Sequence, residues 1–116
     1  MSGRNETTER DEIPPGTLYM LMLTTLARSG ELHGYEIASS IQATSHNVLQ
    51  VEEGSLYPAL QRMLIKGWVT AEWGVTRGNR RARYYRITRL GRKQLVAEVL
   101  QFDRVIGAIQ RVLQAG

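Results

Sequence analysis

A run of cationic side chains between Trp73 and Ala97 has the clearest chemical meaning in this 116-residue sequence. It contains no acidic residue and eight basic ones: Arg77, Arg80, Arg81, Arg83, Arg86, Arg89, Arg92 and Lys93. Arginine carries a planar fork of N–H donors that suits bidentate contact with phosphate or guanine. Gly78-Asn79 is a turn signal, so several of these arginines are expected around the tip of one loop. The pattern favours binding of a polyanion over a merely solvated surface.

Charge is distributed unevenly along the chain, whose formal net charge is +4. Residues 1–53 carry three basic and eight acidic side chains, whereas residues 54–116 carry twelve basic and three acidic ones. The asymmetry indicates a polyanionic partner for the second half and leaves the first half for other contacts.

Several classes of protein find no support in the sequence. Without cysteine there is no disulfide and no thiolate metal or redox site. The longest apolar run, Leu18–Leu23, is far shorter than the roughly 20 residues of a membrane span, and the N-terminus lacks the apolar segment of a signal peptide. We therefore expect a cytoplasmic protein. His33 and Glu36 have a spacing seen in metal sites, but further ligands are missing, so no metal or other cofactor is predicted. No nucleophile–base pair, P-loop or carboxylate pair indicates an enzyme.

Apolar periodicity predicts three helices before the basic loop. The first is apolar nearly all round, which indicates burial on more than one face. The third carries Leu56, Leu60, Met63 and Leu64 on one side, and Lys66-Gly67 is a typical stop. The predicted helices begin and end at about 17–28, 34–43 and 54–66. Two strands with alternating apolar residues follow, one on each side of the turn.

A long last helix is predicted from Arg89, capped by Thr88, to about Ala115, with a length of about 40 Å. Its apolar residues recur at a 4-3-4-3-4 spacing typical of a helix–helix seam: Leu95, Val99, Phe102, Ile106, Ile109 and Leu113. One small domain does not need such a helix, so we expect it to form a homodimer. Leu18 and Met22 of the first helix are candidate additions to the interface. The alternative is an amphipathic helix packed on its own domain.

The order helix–helix–helix–strand–loop–strand–helix is that of a winged helix-turn-helix. We therefore predict a mainly α fold with a small β-hairpin. It would comprise a flexible polar arm over 1–15, a winged helix-turn-helix domain over 16–88 and a C-terminal dimerisation helix over 89–116.

The third helix is the predicted reading element for DNA. Small Gly54 and Ser55 at its N-terminus would permit a close approach of free N–H groups to phosphate. For Ser55, plain helix capping is the alternative. With the apolar side inward, Gln61 could read adenine and Arg62 could read guanine or hold a phosphate. The predicted DNA-contacting residues are Tyr35, Gly54, Ser55, Tyr57, Pro58, Gln61, Arg62, Arg77, Asn79, Arg80, Arg81 and Arg83. For Tyr35, burial of the ring is the alternative to a phosphate contact.

Five fragments of the chain resemble the PadR-like transcriptional regulators in their order and spacing. These fragments are Gly16-Thr-Leu18, His33-Gly-Tyr-Glu-Ile37, Glu53-Gly-Ser-Leu-Tyr-Pro-Ala-Leu60, Leu64-Ile-Lys-Gly-Trp-Val69, and Arg83-Tyr-Tyr-Arg-Ile-Thr88 followed by Gly91. The resemblance covers roughly residues 16–113. The single helix after the loop is similar to the smaller branch of that family.

The resemblance implies a repressor that binds an inverted-repeat operator in double-stranded DNA as a homodimer. It also implies release by a small hydrophobic or aromatic effector near the dimer interface. Trp68 and Trp73 are candidates to line that site, and core packing is the alternative for both. Two other functions remain open at this stage: a winged helix that binds protein, and a non-specific nucleic-acid binder.

Overall fold

The computed structural model describes residues 11–14 and 16–115. Within these residues, four helices and five strands follow one another. Their bounds are β1 (Asp11–Glu12), α1 (Leu18–Ser29), β2 (Leu32–His33), α2 (Gly34–Thr44), β3 (Leu49–Gln50), α3 (Glu53–Ile65), β4 (Val69–Val75), β5 (Arg81–Ile87) and α4 (Arg89–Gln114). The mainly α winged helix-turn-helix predicted from the sequence is confirmed. None of the described helices is both long and apolar enough to cross a membrane.

The sheet has three strands in the order β2-β5-β4, not the two of a simple hairpin. Strands β4 and β5 pair antiparallel from Val69 opposite Ile87 to Val75 opposite Arg81. On the other edge of β5, the two-residue β2 places Leu32 opposite Tyr85. So short a strand has no alternation that could reveal it in the sequence. It joins the end of α1 to the base of the wing, which is the hairpin of β4, β5 and the loop between them.

The core is formed where the three N-terminal helices meet the inner side of the sheet. Leu56, Leu60 and Met63 of α3 are buried there, as their spacing predicts. Met22 of α1 is also fully buried, at 0% exposure, so the prediction that it contacts a second chain is wrong. Because α1 is apolar nearly all round, the spacing of its apolar residues could not show which side faces the core. Leu18 is partly buried and packs against the same core.

The chain before α1 is not a free arm up to residue 15. Asp11 and Glu12 form β1, which pairs in parallel with Leu49 and Gln50 of β3. Ile13 is partly buried against the core. The predicted end of the arm, at residue 15, is therefore too far along the chain. Main-chain pairing of two acidic residues cannot be recognised from side-chain hydropathy. The rest of that prediction, at residues 1–10 and 15, lies outside the described residues.

Helix α4 begins in a tight junction with the turn between α3 and β4. The Thr88 hydroxyl oxygen accepts the Gly91 N–H at 2.9 Å and so caps the helix, as predicted. The same hydroxyl lies 2.7 Å from the Gly67 carbonyl oxygen and 3.0 Å from that of Trp68, to which it can donate. Gly91 is buried, and a β-carbon there would lie 2.1 Å from the Trp68 carbonyl oxygen. Only glycine fits this junction.

Beyond the junction, α4 packs against α1 of its own protomer but leaves most of its apolar seam uncovered. Leu95 packs against the core and Ile106 is half-buried. The remaining seam residues are exposed, up to 76% at Leu113: Val99, Phe102, Ile109 and Leu113. A helix packed wholly on its own domain, the alternative weighed above, does not describe this arrangement.

We predict that Gly91→Ala lowers the free energy of unfolding by about 1–3 kcal/mol, because the added methyl group has no space beside Trp68. Urea unfolding at a fixed protein concentration measures the change. Gly107→Ala is the matched control on the same helix, since a β-carbon there meets only the Arg111 side chain at 3.7 Å. That control should gain up to about 1 kcal/mol from higher helix propensity. Equal stability of the Gly91 and Gly107 variants would contradict the tight junction.

Candidate nucleic-acid interface

The N-terminal tip of α3 is narrow and open to solvent. The helix begins at Glu53, and Glu52 is its N-cap residue but makes no side-chain capping bond. Ser55 therefore lies inside the first turn, and the alternative that it caps α3 is wrong. A β-carbon on Gly54 would have no neighbour within 4 Å. The first-turn N–H groups of a helix have no partner within the helix, so this tip can approach an anion closely.

The outward side of α3 is the one predicted from its apolar spacing. Buried Leu56, Ala59, Leu60 and Met63 point into the core. The six candidate DNA contacts on this helix are all exposed: Gly54, Ser55, Tyr57, Pro58, Gln61 and Arg62. Pro58 is inside the helix, in its second turn. An exposed face with an amide, a guanidinium and a hydroxyl can donate to and accept from base edges and phosphates.

The start of α2 supports α3 through a glycine and an aromatic ring. A β-carbon on Gly34 would lie 2.9 Å from Cε1 of Tyr57, so the absence of a side chain at this position makes room for the Tyr57 ring. The preceding residue, His33, is the N-cap of α2: its Nδ1 accepts the Glu36 N–H at 3.4 Å, and Glu36 Oε1 accepts the His33 N–H at 3.0 Å. This reciprocal capping explains the His33–Glu36 spacing without a metal. Among the described residues, no group of three or more potential ligands could hold a metal ion.

Tyr35 projects from the same helix start into solvent. Its side chain is 73% exposed, and its ring stacks on His33 with centroids 6.4 Å apart. Burial of the ring in the core, the alternative weighed above, is therefore excluded. The hydroxyl is available to a phosphate that approaches α2.

The wing carries its arginines on an exposed turn. Asn79 adopts a left-handed conformation with φ of 64°, and its N–H donates to the Thr76 carbonyl at 2.9 Å. Arg77 and Arg80 are exposed beside it. The tip therefore presents cationic side chains on a backbone fixed by its own hydrogen bonds.

Trp73 belongs to the wing and stacks with its arginines. The guanidinium carbons of Arg81 and Arg83 lie 4.5 and 5.8 Å from the centre of its ring. The indole remains 61% exposed, and the Arg83 Nε atom is buried with no hydrogen-bond partner in the described structure. The sequence pattern directed Trp73 inward with Val69 and Ala71. However, β4 and β5 extend beyond the core toward the tip of the wing. The inner side of the sheet is therefore exposed to solvent at Trp73.

Trp68 has different neighbours from Trp73. Its ring meets that of Tyr19 edge to face, with centroids 5.2 Å apart, and the Lys66 amine lies 5.3 Å from its centre. The two tryptophans therefore do not line one pocket, and the predicted joint effector site is wrong in that respect. Trp68 alone lies near the junction of α1 with α4.

Two open clefts flank α3. The wing cleft, of about 760 Å³, lies on the Tyr57 side and its described lining has no acidic residue: His33, Gly34, Tyr35, Tyr57, Trp73, Thr76, Arg80, Arg81, Ala82, Arg83 and Tyr85. The arm cleft, of about 480 Å³, lies on the other flank and is lined by Ile13, Pro14, Gly16, Leu18, Gln50, Val51, Glu52, Gly54, Ser55, Pro58 and Arg62. Helix α3 thus stands as a ridge between two clefts. Of the two, the wing cleft is lined mainly by basic and aromatic side chains.

A sequence profile of the PadR-like transcriptional regulators matches residues 20–97, about two thirds of the chain. The chain belongs to this family. A PadR family regulator from Eggerthella lenta is similar over 87% of this chain and 85% of its own, with 27% identity and a TM-score of 0.74. A transcriptional regulator from Clostridium thermocellum covers 83% of this chain and 92% of its own, with 26% identity and a TM-score of 0.76. A protein of unassigned function from Lysinibacillus sphaericus is 30% identical over 90% of this chain and 98% of its own.

Family membership gives the coarse function of the protein. The protein is a PadR-like transcriptional regulator with a winged-helix DNA-binding domain, and it is not an enzyme. The wing and α3 are the parts of that domain with the exposed cationic and hydrogen-bonding side chains. Sequence reasoning missed Trp73 as part of this surface. The signal was present, since the turn at Gly78-Asn79 sets a register in which Trp73 lies opposite Arg83.

Tyr85 at the base of the wing cleft gives a test in alkaline solution. Burial raises the pKa of its phenol above the ordinary value of 10.0, and nearby Arg83 partly opposes that shift. Above about pH 10 the unfolded chain therefore loses this proton before the folded protein does. We predict that this contribution to stability is complete below pH 10 and is lost as the pH rises toward the higher folded pKa.

The measurement is the free energy of unfolding between pH 9 and pH 11 for the wild type and for Tyr85→Phe. The variant should show a shallower fall. Tyr84→Phe, which changes the neighbouring residue but keeps Tyr85, should retain the wild-type fall. Parallel curves for the wild type and Tyr85→Phe would show that Tyr85 is not the group responsible.

Proposed function

We propose that this PadR-like regulator is a cytoplasmic homodimeric repressor that binds an inverted repeat in double-stranded DNA. The observation that carries the proposal is the ridge of α3 between two clefts, with its polar side outward. An α-helix with its side chains is about 10–12 Å wide, close to the width of the major groove. A helix seated in that groove would bring the two bordering phosphate strands toward the wing cleft and the arm cleft.

The candidate DNA-contacting residues divide into two roles under this proposal. Gln61 and Arg62 on α3 reach base edges, Gln61 suiting adenine and Arg62 suiting guanine. The α3 tip at Gly54 and Ser55 approaches a phosphate with its N–H groups. Phosphate contacts that set orientation come from Tyr35 on α2, Tyr57 on α3, and the wing residues Arg77, Asn79, Arg80, Arg81 and Arg83. Pro58 on α3 has no N–H donor and would contact DNA only through its apolar ring.

We predict that Arg80→Ala with Arg81→Ala weakens binding to duplex DNA by at least about tenfold, since each arginine would neutralise a phosphate. The slope of log affinity against log salt should fall by about 2 units. Fluorescence anisotropy with a duplex enriched from a random pool by the wild-type protein measures both values. The control is Arg104→Ala with Arg111→Ala, which removes the same charge from exposed positions on α4.

The same titration separates this function from its two rivals. A winged helix that binds only protein would enrich no duplex from the pool. A non-specific nucleic-acid binder would hold a scrambled duplex as tightly as the enriched one. A loss of affinity as large in the α4 control as in the wing variant would mean that net charge, and not the wing, controls binding.

The uncovered seam of α4 supports the dimer. Val99, Phe102, Ile109 and Leu113 are exposed along one side of a 26-residue helix, an apolar stripe that burial against a second copy would stabilise. Leu18 on α1 and Leu95 and Ile106 on α4 complete the proposed interface. A two-fold dimer would place its two α3 helices in successive major grooves about 34 Å apart, which requires an inverted repeat.

We predict that Val99→Asp with Ile106→Asp converts the protein to a monomer, because two carboxylates would be buried in the apolar seam. Sedimentation velocity measures the mass. Ala97→Asp with Ala108→Asp places the same charges on the opposite side of the same helix and should leave the dimer intact. Wild-type mass in the seam variant would exclude α4 as the interface.

Repression and its release complete the proposal. A small hydrophobic or aromatic effector would act near the contact of α1 with α4, where Trp68 is the remaining tryptophan candidate. Such a ligand can release DNA only if it binds better to a dimer geometry that cannot engage two successive grooves. Movement at α4 would change that geometry directly, since the helix connects the wing to the proposed interface.

A further inference from the structure

One outward arginine of α3 is held by a residue of another helix. The Nε–H of Arg62 donates to the Tyr19 hydroxyl oxygen at 2.5 Å. The Arg62 guanidinium carbon also lies 5.8 Å from the centre of the Tyr19 ring. Tyr19 is 43 residues away along the chain, so the fold and not the local sequence makes this contact. Arg62 is nonetheless exposed and lines the arm cleft together with Ser55 and Pro58.

Tyr19 itself is firmly placed. It lies on α1, is partly buried against the core, and meets the Trp68 ring edge to face. The Lys66 amine lies over the same Trp68 ring, 5.3 Å from its centre. A tyrosine fixed by packing at its ring and exposed at its hydroxyl is a rigid acceptor for a flexible donor.

The contact with Tyr19 uses one nitrogen of Arg62, and this determines which N–H donors of the side chain remain for DNA. Arginine has five N–H donors, one on Nε and two on each terminal nitrogen. The bond to Tyr19 occupies Nε only, and no described residue accepts from the terminal nitrogens of Arg62. Those two nitrogens are the pair that contacts guanine or phosphate in a bidentate manner. Holding Nε reduces the rotamer freedom that the side chain would otherwise lose on binding.

We propose that Tyr19 is a positioning residue for DNA recognition, and that its hydroxyl holds Arg62 in the orientation in which the guanidinium reads one base pair. This inference rests on the proposed DNA-binding function. It assigns a recognition role to a residue of α1, a helix whose other residues form the core and the proposed dimer contact.

The test is Tyr19→Phe, which removes the hydroxyl but keeps the ring that packs on Trp68. We expect affinity for the enriched duplex to fall about fivefold, the cost of immobilising one flexible side chain on binding. The thermal midpoint should stay at the wild-type value. Arg62→Ala should cost at least about tenfold and should relax base preference at one position of the enriched sequence, the position at which Tyr19→Phe relaxes it partly.

A double-mutant cycle separates positioning from other roles. In the Arg62→Ala background, Tyr19→Phe should have no further effect on DNA affinity, because the group it positions is gone. An unchanged fivefold loss in that background would mean that Tyr19 contacts DNA itself or acts through stability, and would overturn the proposal. Tighter binding by Tyr19→Phe alone would also overturn it, since the hydroxyl would then hold Arg62 away from DNA.

A matched control and a direct observation of the bond complete the experiment. Tyr84→Phe removes a hydroxyl whose partner is the Val75 carbonyl of the wing, 3.4 Å away, and should show no coupling to Arg62. In NMR spectra, the Arg62 Nε–H signal should be protected from exchange in the free wild type and lose that protection in Tyr19→Phe. No binding of any duplex by the wild type would defeat the proposed function itself. Wild-type binding without coupling would defeat only the role of Tyr19.

Discussion

Burial of one side of α3 determines what the other side can do. Leu56, Leu60 and Met63 are almost completely removed from water, so rotation of the helix would expose them at a cost of several kcal/mol. The side of α3 from which Gln61 and Arg62 project is a consequence of that packing, and the Tyr19 hydroxyl then holds the Arg62 guanidinium. The same packing places α3 between the wing cleft and the arm cleft. A reading surface that is fixed before DNA arrives loses little conformational freedom on binding.

Trp68 connects that fixed helix to the rest of the molecule. Its N–H donates to the Met63 carbonyl at 2.9 Å, and its own carbonyl accepts the Thr88 N–H at 3.0 Å. Its ring meets Tyr19 of α1. The end of α3, the cap of α4 and the outer side of α1 therefore converge on one residue, and Gly91 allows them to approach. Because the α4 direction is set at this junction, the separation of two α3 helices in a dimer depends on it.

The sequence predicted elements that are defined by their own periodicity, and missed those that are defined by a distant neighbour. The inward side of α3 and the capping Thr88 were correct because each depends on residues within one or two turns. Met22 was assigned to the wrong side of α1 because the pattern of a helix that is apolar all round does not show which side is buried. The strand at Leu32 was missed because its partner, β5, lies some 50 residues further along the chain. The hydrogen bond between Tyr19 and Arg62 likewise forms only in the tertiary fold.

The arginines of the wing are stabilised by an aromatic ring and not by a carboxylate. Arg81 and Arg83 repel each other at close range, and the described lining of their cleft offers no carboxylate. The Trp73 ring lies against both and stabilises each guanidinium through its π face, an interaction that leaves their N–H groups unpaired. An acidic neighbour would have stabilised the free protein more, but it would have competed with phosphate for the same donors. Stacking on an aromatic ring orients the cations and preserves their capacity to bind an anion, so the wing retains a modest internal repulsion that a phosphate strand would relieve in the proposed complex.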